Sequence, residues 1–208
     1  MSTFATVLPR QATLVEALFP WVPGRALAEG IRADRGLGHL AAVACAGTPG
    51  LDEPVRWAMT DEGMVLRGSP KTMFAAPPGW AGALGAPRVR SVRLGVGDDV
   101  RFEVSVVPER AVRRAGRRSK RVPVLEDVAI TEWLLEHLTR PPSDAGEDML
   151  FDQIRLSYQR EEHSSEVLEC TWHPVRASVE AIVVNPPAVC RLIVGHQRAY
   201  GFGLPVFS

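Results

Sequence analysis

The residues best suited to chemistry lie near the end of the chain, in Gly195-His196-Gln197-Arg198-Ala199-Tyr200-Gly201-Phe202-Gly203-Leu204, after an apolar run over 190–194. Glycine tolerates positive φ and close backbone approach, so successive amides in such a loop can converge on a phosphate. Arg198 would add a planar fork of donors to the same anion. The plain alternative is a glycine-rich turn between a helix and a final strand, because short glycine motifs carry little information alone. A second feature weighs against that alternative. Between residues 110 and 121 the chain carries Arg110, Arg113, Arg114, Arg117, Arg118, Lys120 and Arg121 without one acid, although 24 basic and 24 acidic residues cancel over the whole. Like charges at this density repel unless neutralised, so a neutral protein with this segment has a local site for a polyanion. Arg113, Arg114, Arg117 and Arg118 fall at i, i+4 spacing, which predicts one helical turn there.

The elements that must position these residues follow from periodicity. At 208 residues, 46% hydrophobic and 23% charged, the chain has ordinary globular composition and can bury a real core. Cys45, Cys170 and Cys190 are far apart and form no pair or His cluster at zinc-ligand spacing. The expectation is therefore no metal and a reducing cytoplasm. No charged-then-apolar leader opens the sequence and no apolar run nears the length of a span, so a soluble cytoplasmic protein with no membrane partner is expected. Residues 3–8 read as a strand, and 11–21 as a helix with Leu14, Val15, Leu18 and Phe19 on one face. Residues 40–46 read as a short strand or buried helix, 55–59 and 64–68 as a hairpin, and 70–87 as irregular linker. Strands follow at 89–96 and 100–107 around Gly97-Asp98-Asp99. A helix over 129–138 presents Ile130, Trp133, Leu134 and Leu138, with Asp127 as its cap. Strands at 151–157, 166–171 and 175–184, a short helix at 187–194 and a last strand at 204–207 complete the reading. Each half runs strand, helix, then strands. That order predicts an α+β fold of two tandem ferredoxin-like domains, residues 1–87 and 88–208.

Taken together, these features resemble the CRISPR-associated endoribonucleases of the RAMP superfamily. Members of the type I-E kind have a strand, a basic loop, and an Arg-Val-Pro-Leu-like step into a helix with a central Trp. Here those features are residues 100–107, the basic segment, Arg121-Val122-Pro123-Val124 and the helix bearing Trp133. The family's C-terminal loop ends Gly-x-Gly-Leu, as Gly201-Phe202-Gly203-Leu204 does, with Arg198 matching a basic residue three positions earlier. About half of the chain carries the resemblance. Two departures stand out. The loop usually begins Gly-x-Gly, but Ile193 occupies the first of those positions, leaving Gly195. Type I-E members also place a catalytic His on or just after the first helix, whereas 11–21 contains none and the nearest is His39. Arg10, Arg25, Arg32 and Arg35 make the first half more similar to type IV relatives, some of which rely on arginines.

The resemblance implies metal-independent, cofactor-free cleavage of CRISPR precursor RNA at the base of the repeat hairpin, with the protein staying on its product. The ribose 2′-OH would attack the adjacent phosphorus, giving a 2′,3′-cyclic phosphate and a free 5′-OH. That needs a base, an acid and cations around the phosphorane. Histidine titrates near neutrality, so His39, in the glycine-rich stretch 35–39, and His196 are the acid-base candidates. Arg10 and Arg25, flanking the expected first helix, and Arg198 would stabilise charge. The basic residues of 110–121, together with Gly195, Gln197, Tyr200, Gly201 and Gly203, would hold the RNA hairpin, largely through phosphates and shape. Phe202 reads equally as a stacking residue or as core. His137 and His163 read as solvent-facing, His173 as structural, and the acidic stretches 144–148 and 161–162 as loops. Partners would be repeat RNA and the backbone subunits of a type I-E or type IV effector complex. The alternatives are a non-catalytic RAMP-type subunit that binds guide RNA and, outside RNA, a small-molecule enzyme on the same scaffold.

Overall fold

A computed structural model of the protein describes residues 9–46, 55–68, 72–114, 117–139, 149–165, 170–195 and 201–208, with 113, 114, 117–119, 163–165, 170 and 171 described by backbone alone. The first unit comprises strand β1 (Gln11–Pro20), helices α1 (Ala26–Ala33) and α2 (Arg35–Cys45), and strands β2 (Arg56–Met59), β3 (Gly63–Gly68) and β4 (Arg88–Gly95). Its antiparallel sheet has the order β2-β3-β1-β4. The second unit runs β5 (Asp99–Val106), β6 (Glu109–Arg114), β7 (Arg117–Pro123), α3 (Asp127–Thr139), β8 (Phe151–Arg160), β9 (His163–Ser165), β10 (Cys170–Trp172), β11 (Val175–Val183), α4 (Pro186–Arg191) and β12 (Val206–Phe207). Its main sheet has the order β12-β5-β11-β8, and β6–β7 and β9–β10 form separate two-stranded hairpins. With those hairpins set aside, the second unit is β-α-β-β-α-β with its strands ordered fourth, first, third, second. The first unit has the same strand order, but residues 72–87 run as turns where a second helix would stand. Both are ferredoxin-like, as expected.

The segment 11–21 is a strand, not a helix. Leu14, Val15, Glu16 and Ala17 are consecutively buried. Ala17 and Phe19 join the core beneath α1 and α2 with Ile31, Ala41, Trp57 and Leu66. Leu14 faces the other way, into the core of the second unit, where α4 supplies Ala188 and Val189. A strand covered on both faces loses its period-two alternation, and its apolar residues then imitate a helical stripe. Helix formation begins only at Ala26, and α2 starts where the Asp34 carboxylate accepts the amides of Gly36 (2.7 Å) and Leu37 (3.2 Å). The apolar run 40–46 belongs to α2 and its C-cap. Strand β4 hydrogen bonds along the length of β1, so residues 88–95 belong with the first sheet, and the crossing into the second unit is the turn after Gly95. There Gly97 has φ +88°, its amide reaches the Val183 carbonyl, and Asp98 accepts the Gly95 amide at 2.6 Å. The hairpin at 56–68, the helix bearing Trp133 and strands β8 and β11 stand where they were expected. The expected strand over 3–8 lies outside the described residues.

A buried charge cluster fixes the end of the chain to the first sheet. Glu16, Arg67 and Arg90 are register partners on β1, β3 and β4. The Glu16 carboxylate accepts Arg67 Nη2 at 2.7 Å and Arg90 Nη2 at 2.9 Å. The same guanidiniums donate to the carbonyls of Pro205 and Phe207. Two cations from one sheet thus hold the strand that leaves the glycine loop.

Candidate active site and nucleic-acid interface

Helix α2 and the glycine loop meet over Trp57. A Cβ on Gly38 or on Gly201 would sit 2.7 Å from the Trp57 ring, so only glycine lets both backbones close on the indole. Gly38 therefore serves close packing within a helix. Gly201 and Gly203 have φ of +75° and +86°, and they carry Phe202 inward between them. The Phe202 ring is buried with Val107 and Trp172. Above it lies the Arg35 guanidinium, 4.5 Å from the ring centroid and itself only 4% exposed. Burial lowers the Arg35 pKa to about 10, opposed by Glu161, so the group stays charged at neutral pH. His39 lies one helical turn beyond Arg35, on the same flank. Its Nδ1 is buried and has no hydrogen-bond partner among the described residues. This partly buried imidazole follows Gly38, whose backbone lies against the same Trp57 ring that Gly201 touches.

The other end of the glycine loop rests on α3. Gly195 has φ +81°, and a Cβ there would lie 3.1 Å from Trp133. Trp133 donates its indole N–H to the Glu109 carbonyl at 3.1 Å, where β6 begins. The neck of the loop is closed by the Val194 amide on the Gly203 carbonyl (2.8 Å) and by the Gly203 amide on the Ser105 carbonyl (2.6 Å). The two described ends of the loop thus rest on Trp133, which bonds the root of the basic hairpin, and on Trp57 and Arg35 beside α2.

The basic segment forms two strands, not a helical turn. β6 pairs with β7 through Arg110 with Val122, Ala111 with Arg121, Val112 with Lys120 and Arg114 with Arg117. Spacing of Arg113, Arg114, Arg117 and Arg118 at i, i+4 across Gly116 fits a hairpin equally well, because charge spacing does not fix backbone state. Period-two alternation sends exposed Arg110 and Lys120 to one face of the ribbon and Arg121 to the other. Arg110 reaches Glu132 of α3 at 3.8 Å.

The remaining expected site residues divide. Gly195, Gly201 and Gly203 lie in the loop as expected, whereas His196, Gln197, Arg198 and Tyr200 lie outside the described residues. Arg10 and Arg25 flank a strand rather than a helix: Arg10 precedes β1, and Arg25 follows it beyond a turn at residues 23–24, as the N-cap residue of α1. Arg25 is exposed at the start of α1, on the side of the molecule that bears α2. Arg10 is exposed beside the turn after β4, where its carbonyl accepts the Val96 amide, so the structure does not join it to His39. Sequence reasoning missed Arg35 as a site residue and left Phe202 open. The signal that could have found Arg35 was a charged residue four positions before the histidine, at the first turn of a helix.

The sheet orders define the class of the fold: two ferredoxin-like units in tandem. Among solved structures, the chain is similar to the CRISPR endoribonuclease Cse3 bound to a 19-nucleotide RNA, with a TM-score of 0.67 and 18% identity over 95% of this chain and 98% of that one. It is similar to Thermus thermophilus Cse3 bound to an RNA representing a pre-cleavage complex, with a TM-score of 0.61 and 19% identity over 96% and 100%. Cas6e from Escherichia coli K-12 matches with a TM-score of 0.56 and 16% identity over 95% and 99%. No family model and no curated protein matches the chain. Likeness at this identity establishes the fold. Among the described residues, no helix is long and apolar enough to cross a membrane.

Proposed function

We propose that the protein is a metal-independent endoribonuclease that binds CRISPR precursor RNA at the repeat hairpin, cuts it and keeps the product. The observation that carries this reading is the glycine loop, which joins the root of the basic hairpin through Trp133 to the His39 helix through Trp57 and Phe202. RNA phosphates gripped by the basic ribbon would lead directly to loop amides and an imidazole. His39 takes the proton of the 2′-OH as its oxygen attacks phosphorus, or gives one to the departing 5′ oxygen; the bond to that oxygen breaks as the cyclic phosphate closes. His196 and Arg198, in the same loop, are the other proton and charge carriers. Arg25 supplies positive charge nearer the scissile region than Arg10 does. The relatives in fold include endoribonuclease chains bound to RNA and chains within CRISPR RNA-guided surveillance complexes, which supports RNA and complex subunits as partners.

The test uses repeat RNA in EDTA, with and without a 2′-deoxy sugar at the scissile position. Cleavage to a cyclic phosphate, abolished by the deoxy sugar, is expected. Changing Arg110, Lys120 and Arg121 to Ala should lower the slope of log affinity against log salt by about 0.7–0.9 for each phosphate that is no longer neutralised. Tight binding without a cut would leave a guide-RNA-binding subunit, and no binding would overturn the RNA reading altogether.

A further inference from the structure

We infer that Arg35 is a positioning residue: its guanidinium, stacked on Phe202, latches α2 to the glycine loop and holds His39 in register with that loop. This rests on the reading of His39 as a proton carrier. Trp57 sets how closely Gly38 and Gly201 approach. The Arg35–Phe202 pair adds a direct contact between the two segments, because the ring is held between Gly201 and Gly203 and the cation is rooted at the first turn of α2. Burial at 4% exposure would be costly for a charge used only for solubility. The surroundings fit a retained cation. Glu161 acts attractively on Arg35 and more strongly than Arg176 repels it, and Arg176 holds Glu161 at 2.9 Å while reaching Asp61 in the β2–β3 turn at 3.0 Å. The latch thus joins α2, the glycine loop and the start of β11 in one arrangement. The head group matters here, since a guanidinium is more weakly hydrated than an ammonium and so suits a buried cation over a ring. His39 is then placed by a neighbour that never meets the RNA.

The test compares Arg35→Met, Arg35→Lys, Phe202→Leu and the Arg35→Met/Phe202→Leu double variant in the full-length protein. Single-turnover cleavage and RNA affinity are measured separately, with the His39 ring Cε1–H signal followed by NMR in the free protein. Arg35→Met should slow cleavage on the order of 10²-fold, the size of a small misplacement of a catalytic group, with affinity changed by less than about threefold. Arg35→Lys should recover part of the rate, and the double variant should lose no more than the worse single variant, because the two groups act as a unit. The His39 signal should shift in Arg35→Met and in Phe202→Leu, and return toward its wild-type position in Arg35→Lys. Phe202→Leu keeps the test valid if the buried-cation variant fails to fold. Rate and affinity falling together, multiplicative losses or an unmoved His39 signal would each overturn the latch. If the wild type does not cut RNA yet the His39 signal shifts as described, the nuclease reading fails and the latch stands.

Discussion

Replacing Glu16 with Ala should cost the protein a large share of its stability, and the structure sets the size. The Glu16 side chain is 1% exposed and that of Arg67 is 2% exposed, with 2.7 Å between their charged atoms. Removing the carboxylate leaves the Arg67 cation buried, with the Pro205 carbonyl as its remaining acceptor among the described residues. Breaking a buried pair from one side costs about 3–5 kcal/mol, whereas the half-exposed Arg90 should be worth about 0–1 kcal/mol. For a chain of this size that corresponds to a fall in Tm of roughly 6–20 °C for Glu16→Ala, against a few degrees at most for Arg90→Ala. Replacing the pair together, Glu16→Leu with Arg67→Met, should recover most of the loss, since the cation that then lacks its carboxylate, Arg90, is half-exposed and open to water. Thermal and urea unfolding followed by circular dichroism measure all three. A Glu16→Ala loss no larger than that of Arg90→Ala would refute the argument, because it would mean water reaches the Arg67 cation freely.

Other expectations follow from individual interactions. Gly201→Ala would place a methyl 2.7 Å from Trp57 at φ +75°, so it should destabilise by about 1–3 kcal/mol and weaken RNA binding. Gly79→Ala, with nothing within 4 Å of its added methyl, should be close to neutral in the same unfolding assay. Trp133→Phe removes the donor to the Glu109 carbonyl, costing about 0.5–1.5 kcal/mol and speeding amide exchange at the root of the β6–β7 hairpin. Hydrogen bonds from Arg160 at 2.5 Å and then Tyr158 hold the Asp127 carboxyl below the usual carboxylate range. Its contribution to stability is thus complete above the unfolded carboxylate pKa and disappears as pH falls through the lowered folded value. In Arg160→Gln, NMR titration should show the Asp127 midpoint moving up toward the ordinary value.

Much of the second unit was legible because its elements are buried on one face only. β11 alternates through Val175, Ala177, Val179 and Ala181, and α3 shows its stripe of Ile130, Trp133, Leu134 and Leu138. The first unit hid its central strand, since β1 is sandwiched between α1 and α2 on one side and α4 on the other. The role of Gly38 was hidden for a similar reason: it packs closely on Trp57, a cause that exists only once the fold is formed. In the site, residue type revealed the glycine loop and the basic segment, because repelling charges and clustered glycines are local facts. Arg35 stayed hidden because its partner, Phe202, is far along the chain and belongs to the other unit.

The most direct test of the account is single-turnover cleavage of repeat RNA in EDTA by His39→Ala, with affinity measured in parallel. The account predicts a rate lower by about 10²–10⁴, the usual worth of a general acid or base, with affinity within about threefold of wild type. An unchanged rate would contradict it, leaving His39 as a packing residue of α2 and moving the proton transfer elsewhere.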